Sequence, residues 1–117
     1  MNYKKLYENI MDIDKQIRFA TIFDVNGQIK CCGHQKGIKN ISTTQESKKS
    51  LEETANGWKS HNEYLHKIGE GVYVLTLYEN IKRITIPLDP RHLLYLTTED
   101  DADHVTIIDK ALQIKQG

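Results

Sequence analysis

Residues 17–33, Ile17-Arg18-Phe19-Ala20-Thr21-Ile22-Phe23-Asp24-Val25-Asn26-Gly27-Gln28-Ile29-Lys30-Cys31-Cys32-Gly33, decide the fold. The first nine are rich in β-branched and aromatic residues, which suit a pleated backbone. On a strand, alternate side chains share a face. Ile17, Phe19, Thr21, Phe23 and Val25 then line one face, and Ala20 and Ile22 the other. Two-faced apolarity belongs to a central strand covered on both sides. Asn26-Gly27 supplies the positive φ angles of a tight hairpin turn, and Gln28 to Gly33 returns as a second strand.

Before the hairpin, Tyr3, Leu6, Tyr7, Ile10 and Ile13 recur at helical spacing, so a helix is predicted from Tyr3 to about Asp14. After it comes a polar connection, His34 to Thr43, holding Gly37 and Asn40. Thr43 with Glu46, or Ser42 with Gln45, makes a capping box that starts a second helix running to about Tyr64 or His66. Its apolar stripe is narrow (Leu51, Ala55, Trp58, then Leu65), and Gly57 interrupts it. Strands follow at Val72–Tyr78, Ile81–Leu88 and His92–Thr98, separated by turns at Glu79-Asn80 and Asp89-Pro90-Arg91. Pro87 marks where ladder pairing should stop. The acid run Glu99 to Asp103 opens a last helix with Asp100 or Asp101 as its cap, and Val105, Ile107, Ile108, Ala111, Leu112 and Ile114 give it a broad buried face. The order α-β-β-α-β-β-β-α predicts the α+β class, with a five-stranded sheet covered by helices on both faces.

The length, 117 residues, fits a single domain spanning 1–117. Sixteen Lys and Arg against sixteen Asp and Glu leave no net charge, which argues against a nucleic-acid or membrane-surface binder. The balance is uneven along the chain. Residues 1–60 carry ten basic and seven acidic side chains (+3), and residues 61–117 carry six and nine (−3). A solvated surface explains this, and docking of an acidic partner around Lys30, Lys36, Lys39, Lys48 and Lys49 is the sharper reading. The hydrophobic share of 38% is low and makes a thin core, so an oligomer is expected. No apolar run approaches a membrane span, and the amphipathic, acid-bearing start resembles neither a secretory signal nor a transit peptide. Cys31 and Cys32 are neighbours that point to opposite faces, so free thiols of a reducing cytoplasm are expected.

Candidate chemistry is sparse. Cys32 and His34 share a strand face, but with Cys31 turned away they fall short of the four ligands of structural zinc. His61 and His66 are five apart and do not stack as ligands on a helix. The acid run before His104 lacks the spacing and glycine of a calcium loop. No Gly-rich phosphate loop is present, and no His–Cys pairing marks a nucleophile. Neither a catalytic residue nor a cofactor or metal site is expected, and the chain is read as no enzyme.

The element order, the Asn26-Gly27 hairpin and the long central helix together resemble the roadblock/LC7 family, part of the profilin-like group of α-β-α sandwiches. The stretches IRFATIFDVNGQI and ITIPLDPRHLLYLTTED also resemble an uncharacterised family of short archaeal proteins. The roadblock resemblance implies a non-catalytic protein-interaction domain. Such domains are homodimers or heterodimers that bind small GTPases, motor subunits or signalling scaffolds.

A physical argument leads to self-association independently. If the first hairpin joins beside the fifth strand, strand 72–78 is left at the sheet edge. Its sequence, Val72, Tyr73, Val74, Leu75, Thr76, Leu77, Tyr78, carries no charge and no Pro. Such an edge is a hazard unless covered or paired. Pairing it with a second copy would bring the two central helices together, with Leu51, Ala55 and Trp58 packing across the axis. Trp58 is either a core plug or an interface anchor, and the polarity of its helix favours the anchor. The hairpin could instead pair with strand 72–78 and hide it. A second functional reading is a PAS- or profilin-like sensor with a cavity between sheet and helix, lined by Tyr73, His92 or Tyr95.

Overall fold

The order of elements is α1 (Tyr3–Met11), β1 (Ile17–Asp24), β2 (Ile29–His34), α2 (Thr44–Asn62), β3 (Val74–Leu77), β4 (Ile81–Asp89), β5 (His92–Glu99) and α3 (His104–Gln116). This structure, a computed structural model, describes residues 2–35, 44–62 and 68–116, the side chains of 44–47 and 59–62 excepted. The capping box at residues 42–46, the helix end at 64–66 and the pair His61 and His66 lie outside what is described.

The five strands form one antiparallel sheet in the order β2-β1-β5-β4-β3. The hairpin therefore joins beside β5, and β3 is an edge. Helices cover both faces, as the two-faced strands require. On one face Ile10 of α1 and Ile107, Ile108 and Ala111 of α3 pack on Ala20, Ile22, Ile84, Ile86, Leu94 and Leu96. On the other, Leu51, Ala55 and Trp58 of α2 pack on Phe23, Leu93 and Tyr95. Each large apolar side chain buried in this way contributes about 1.5–3 kcal/mol of transfer free energy.

The hairpin turn uses one positive φ, not two. Gly27 alone has it, at 86°, and its N–H donates to the Asp24 carbonyl at 2.9 Å. The Asp24 carboxylate also accepts from the backbone N–H groups of Asn26 and Gln28, each at 2.9 Å. Four other expectations change. A bulge between Ile17 and Phe19 rotates Ile17 onto the α1/α3 face, away from Phe19 and Phe23. Pro87 does not end the ladder: it pairs with Leu93, and pairing resumes at Asp89 after a bulge. The cap of α3 is Asp103, whose carboxylate accepts from the Thr106 N–H at 3.2 Å and the Thr106 hydroxyl at 2.7 Å, so Glu99 to Ala102 form a turn before the helix. Val105 consequently lies outside the buried face and is 68% exposed.

Trp58 is 6% exposed within the single chain, and Leu51 and Ala55 are buried with it. The anchor reading of Trp58 gives way to the core plug, because Phe23, Leu93 and Tyr95 offer it an aromatic and aliphatic seat that the polarity of its own helix does not reveal. The helix is polar because only this stripe meets the sheet.

Two outcomes follow from this packing. Trp58→Ala should cost about 3–5 kcal/mol in urea unfolding, and a loss below about 1 kcal/mol would contradict its burial. For Asp24, the Gln28 N–H, then the Asn26 N–H and the nearby Lys30, hold the carboxyl below its usual range, against the opposing effect of burial. A lowered folded pKa means that its stabilisation is present above the unfolded value of about 3.9 and is lost as pH falls through the folded value. Asp24→Ala should therefore lower the urea midpoint at neutral pH, with the difference from the parent protein shrinking in acid.

Candidate interaction surface at the open sheet edge

The two edges of the sheet are protected differently. β2 is broken by a register shift opposite Ile22 and Phe23, and it carries Lys30, whose ammonium lies 3.9 Å from the Asp24 carboxylate. Its end is tied back by the Gln35 N–H donating to the Arg18 carbonyl at 2.7 Å. A bulge and a charge are ordinary ways to blunt an edge. Along β3 there is neither.

β3 is shorter than strand 72–78, with ladder pairing only over Val74–Leu77. Val72, Tyr73 and Tyr78 flank it as exposed residues. The Tyr78 N–H donates to the Ile81 carbonyl at 2.9 Å, so the backbone of Tyr78 faces β4. Antiparallel strands alternate between residues bonded inward and residues facing away. The backbone polar groups of Leu75 and Leu77 therefore point out of the sheet. Leu75 packs its side chain against the α1/α3 core, whereas Leu77 is 61% exposed. Val74 and Thr76, paired with Thr85 and Arg83, lie on the α2 face.

Behind this edge lies a groove between α2 and the sheet, about 290 Å³ in volume, lined by Thr54, Gly57, Trp58, Val74, Thr76, Arg83 and Thr85. The Arg83 guanidinium sits between two rings, 5.2 Å from the centroid of Tyr78 and 5.4 Å from that of Tyr95. It donates to the Ser50 hydroxyl at 3.1 Å, and its buried Nε–H has no acceptor among the described residues.

Of the residues singled out in the sequence, the structure brings Val72 to Tyr78 together as one uncharged border. It places Leu51, Ala55 and Trp58 behind that border, in the core under α2. The sensor candidates separate: Tyr73 is exposed at the edge, Tyr95 is buried under α2, and His92 is engaged elsewhere. The Tyr3 hydroxyl meets His92 Nε2 at 3.0 Å while His92 Nδ1 meets Asp89 at 2.9 Å, tying α1 to the β4–β5 turn. Sequence reasoning missed Arg83 and the threonines around it. The available signal was a cation and hydroxyls on the second face of a strand whose two faces are both covered.

Cys31 is half-buried and Cys32 exposed, consistent with opposite faces, and the His34 ring lies 4.7 Å from that of Phe19. Among the described residues, no group of three or more His, Cys, Asp or Glu side chains is placed to hold a metal ion. Among them too, no helix is long and apolar enough to cross a membrane.

No protein-family model matches the sequence, and no curated protein matches it. Solved structures do resemble it. A roadblock/LC7 domain from Streptomyces avermitilis superposes with a TM-score of 0.74 at 8% identity, over 96% of this chain and 90% of that one. The gliding protein MglB from Thermus thermophilus gives 0.79 at 12% identity, over 97% and 85%. MglB from Myxococcus xanthus gives 0.76 at 12% identity, over 99% and 93%. Superposition at these TM-scores over nearly the whole chain, at so low an identity, identifies the fold: this is a chain with the roadblock/LC7 fold.

Proposed function

We propose that this chain is a non-catalytic protein-interaction domain that forms a homodimer through β3 and serves as a regulatory partner of a small GTPase. The observation that carries the first part is the β3 edge. Leu75 and Leu77 turn their backbone groups outward, and the flanking side chains carry no charge to deter pairing. A second copy meeting it antiparallel would satisfy those groups and extend the sheet across a two-fold axis. The apolar flank of Val72, Tyr73 and Leu77 would be covered at the same time. Because Leu51, Ala55 and Trp58 are used within each copy, the dimer contact narrows to Val72–Tyr78 and the outer surface of α2. The regulatory and GTPase parts rest on the likeness to roadblock domains, whose interactions need no active site.

The outward backbone of Leu77 gives a specific test. Proline there removes one donor from the open edge without breaking a β3–β4 bond. In sedimentation at micromolar concentration the parent chain should be a dimer, Leu77→Ala should remain associated, and Leu77→Pro should dissociate at least about tenfold more readily. A monomeric parent chain, or a Leu77→Pro dimer as tight as the parent, would contradict the edge contact. For the GTPase, purified small GTPases of the same organism should bind in one nucleotide state and not the other. Equal binding in both states, or none, counts against that part.

A further inference from the structure

The groove behind β3 has a chemistry that the interaction reading does not use. Among the described residues its one cation is Arg83, held rigid by the Tyr78 and Tyr95 rings and by the Ser50 hydroxyl. Among them too, no carboxylate lies within ion-pair distance of it. Its Nε–H is buried and has no acceptor among the described residues, an arrangement that ordinarily costs free energy. Threonines 54, 76 and 85 add hydroxyl groups, and Trp58 and Val74 supply apolar wall.

We propose that this groove binds a small carboxylate, of amino-acid size, whose carboxyl group pairs with Arg83 while its short apolar part lies against Trp58 and Val74. A single planar guanidinium is matched to a carboxylate, which it can engage through two parallel N–H donors. A phosphate group, with more charge and more acceptors, calls for several cations or a run of backbone N–H groups, and the described lining offers Arg83 alone. The volume of about 290 Å³ lies just under the usual range of pockets for drug-sized ligands, so it readily holds a molecule of amino-acid size. The rings hold Arg83 in place beforehand, so little side-chain entropy is lost on binding. Because Val74 and Thr76 belong to β3, the ligand would brace the edge strand from behind.

Trp58 is the only tryptophan of the chain, so its emission reports this groove directly. The full chain is titrated with butyrate, valerate and leucine, with butyramide and inorganic phosphate as comparisons at constant ionic strength. Thermal melting is followed alongside. At least one carboxylate should shift Trp58 emission saturably and raise Tm, with butyramide and phosphate at least about tenfold weaker. Arg83→Gln should lose the response by a similar factor. A second variant guards against misfolding: Gly57 lines the groove and a Cβ added there meets nothing within 4 Å, so Gly57→Leu brings an apolar side chain to the groove without a clash at its Cβ while favouring the helix. It should fold and should not respond. The proposal is overturned if no carboxylate acts by about 50 mM, a very weak binding limit. It is equally overturned if butyramide or phosphate matches the carboxylates, or if the response survives in Gly57→Leu.

Discussion

The antiparallel pairing of β1 with β5 is the constraint on which the rest of the structure depends. It joins Ile17–Asp24 near the start of the chain to His92–Glu99 near its end, placing the two most buried strands side by side. Once β1 takes that side of β5, β4 must take the other, and the meander carries β3 outward to an edge. The same pairing makes both faces of the sheet apolar. One is then covered by α1 and α3, and the other is left to α2 alone. Had the hairpin paired with β3, no open uncharged strand would remain, and no groove would be bounded by it.

The two faces are sealed to different degrees. Under α1 and α3 the side chains are almost entirely aliphatic and close-packed. Under α2 the sheet presents Phe23, Leu93 and Tyr95 together with Thr21, Arg83 and Thr85, and α2 answers with only a narrow stripe. Trp58 is large enough to fill one end of that space. The other end, toward β3 and β4, stays open as the groove at Arg83. Polar side chains on a covered face are costly unless partnered, and among the described residues both the Thr21 hydroxyl and the Arg83 Nε–H lack partners. The α2 side is therefore where the fold spends stability, and it borders the edge proposed for assembly.

Most of the architecture was legible from residues 17–33 and from the apolar strands that follow. β-branched runs, an Asn-Gly turn and helical spacing are local signals, and local signals survive in a single sequence. What escaped was non-local or a matter of one residue. The bulge that moves Ile17 to the other face shifts the alternation by one position, and no residue type marks it. The cap at Asp103 was hidden among five consecutive residues of which four are acids, where only the geometry of Thr106 distinguishes one from the next. Trp58 looked like an anchor because α2 is polar. Its seat lies on Phe23 and Tyr95, far away in sequence. The seven-residue edge was identified as a candidate from its lack of charge, while its four-residue ladder depended on where β4 ends. Arg83 gained meaning only when Tyr78 and Tyr95 closed on it from neighbouring strands.

The central claim is that the outward backbone of β3 is occupied by the same strand of a second copy. Amide hydrogen exchange at Leu75 and Leu77, followed by NMR from low to high micromolar concentration, tests it at the atoms concerned. Pairing across a two-fold axis predicts that these two amides become protected as the concentration rises, while Thr76 and Tyr78, bonded to β4, are protected throughout. Fast exchange at Leu75 and Leu77 at every concentration, alongside a protected β4, would contradict it.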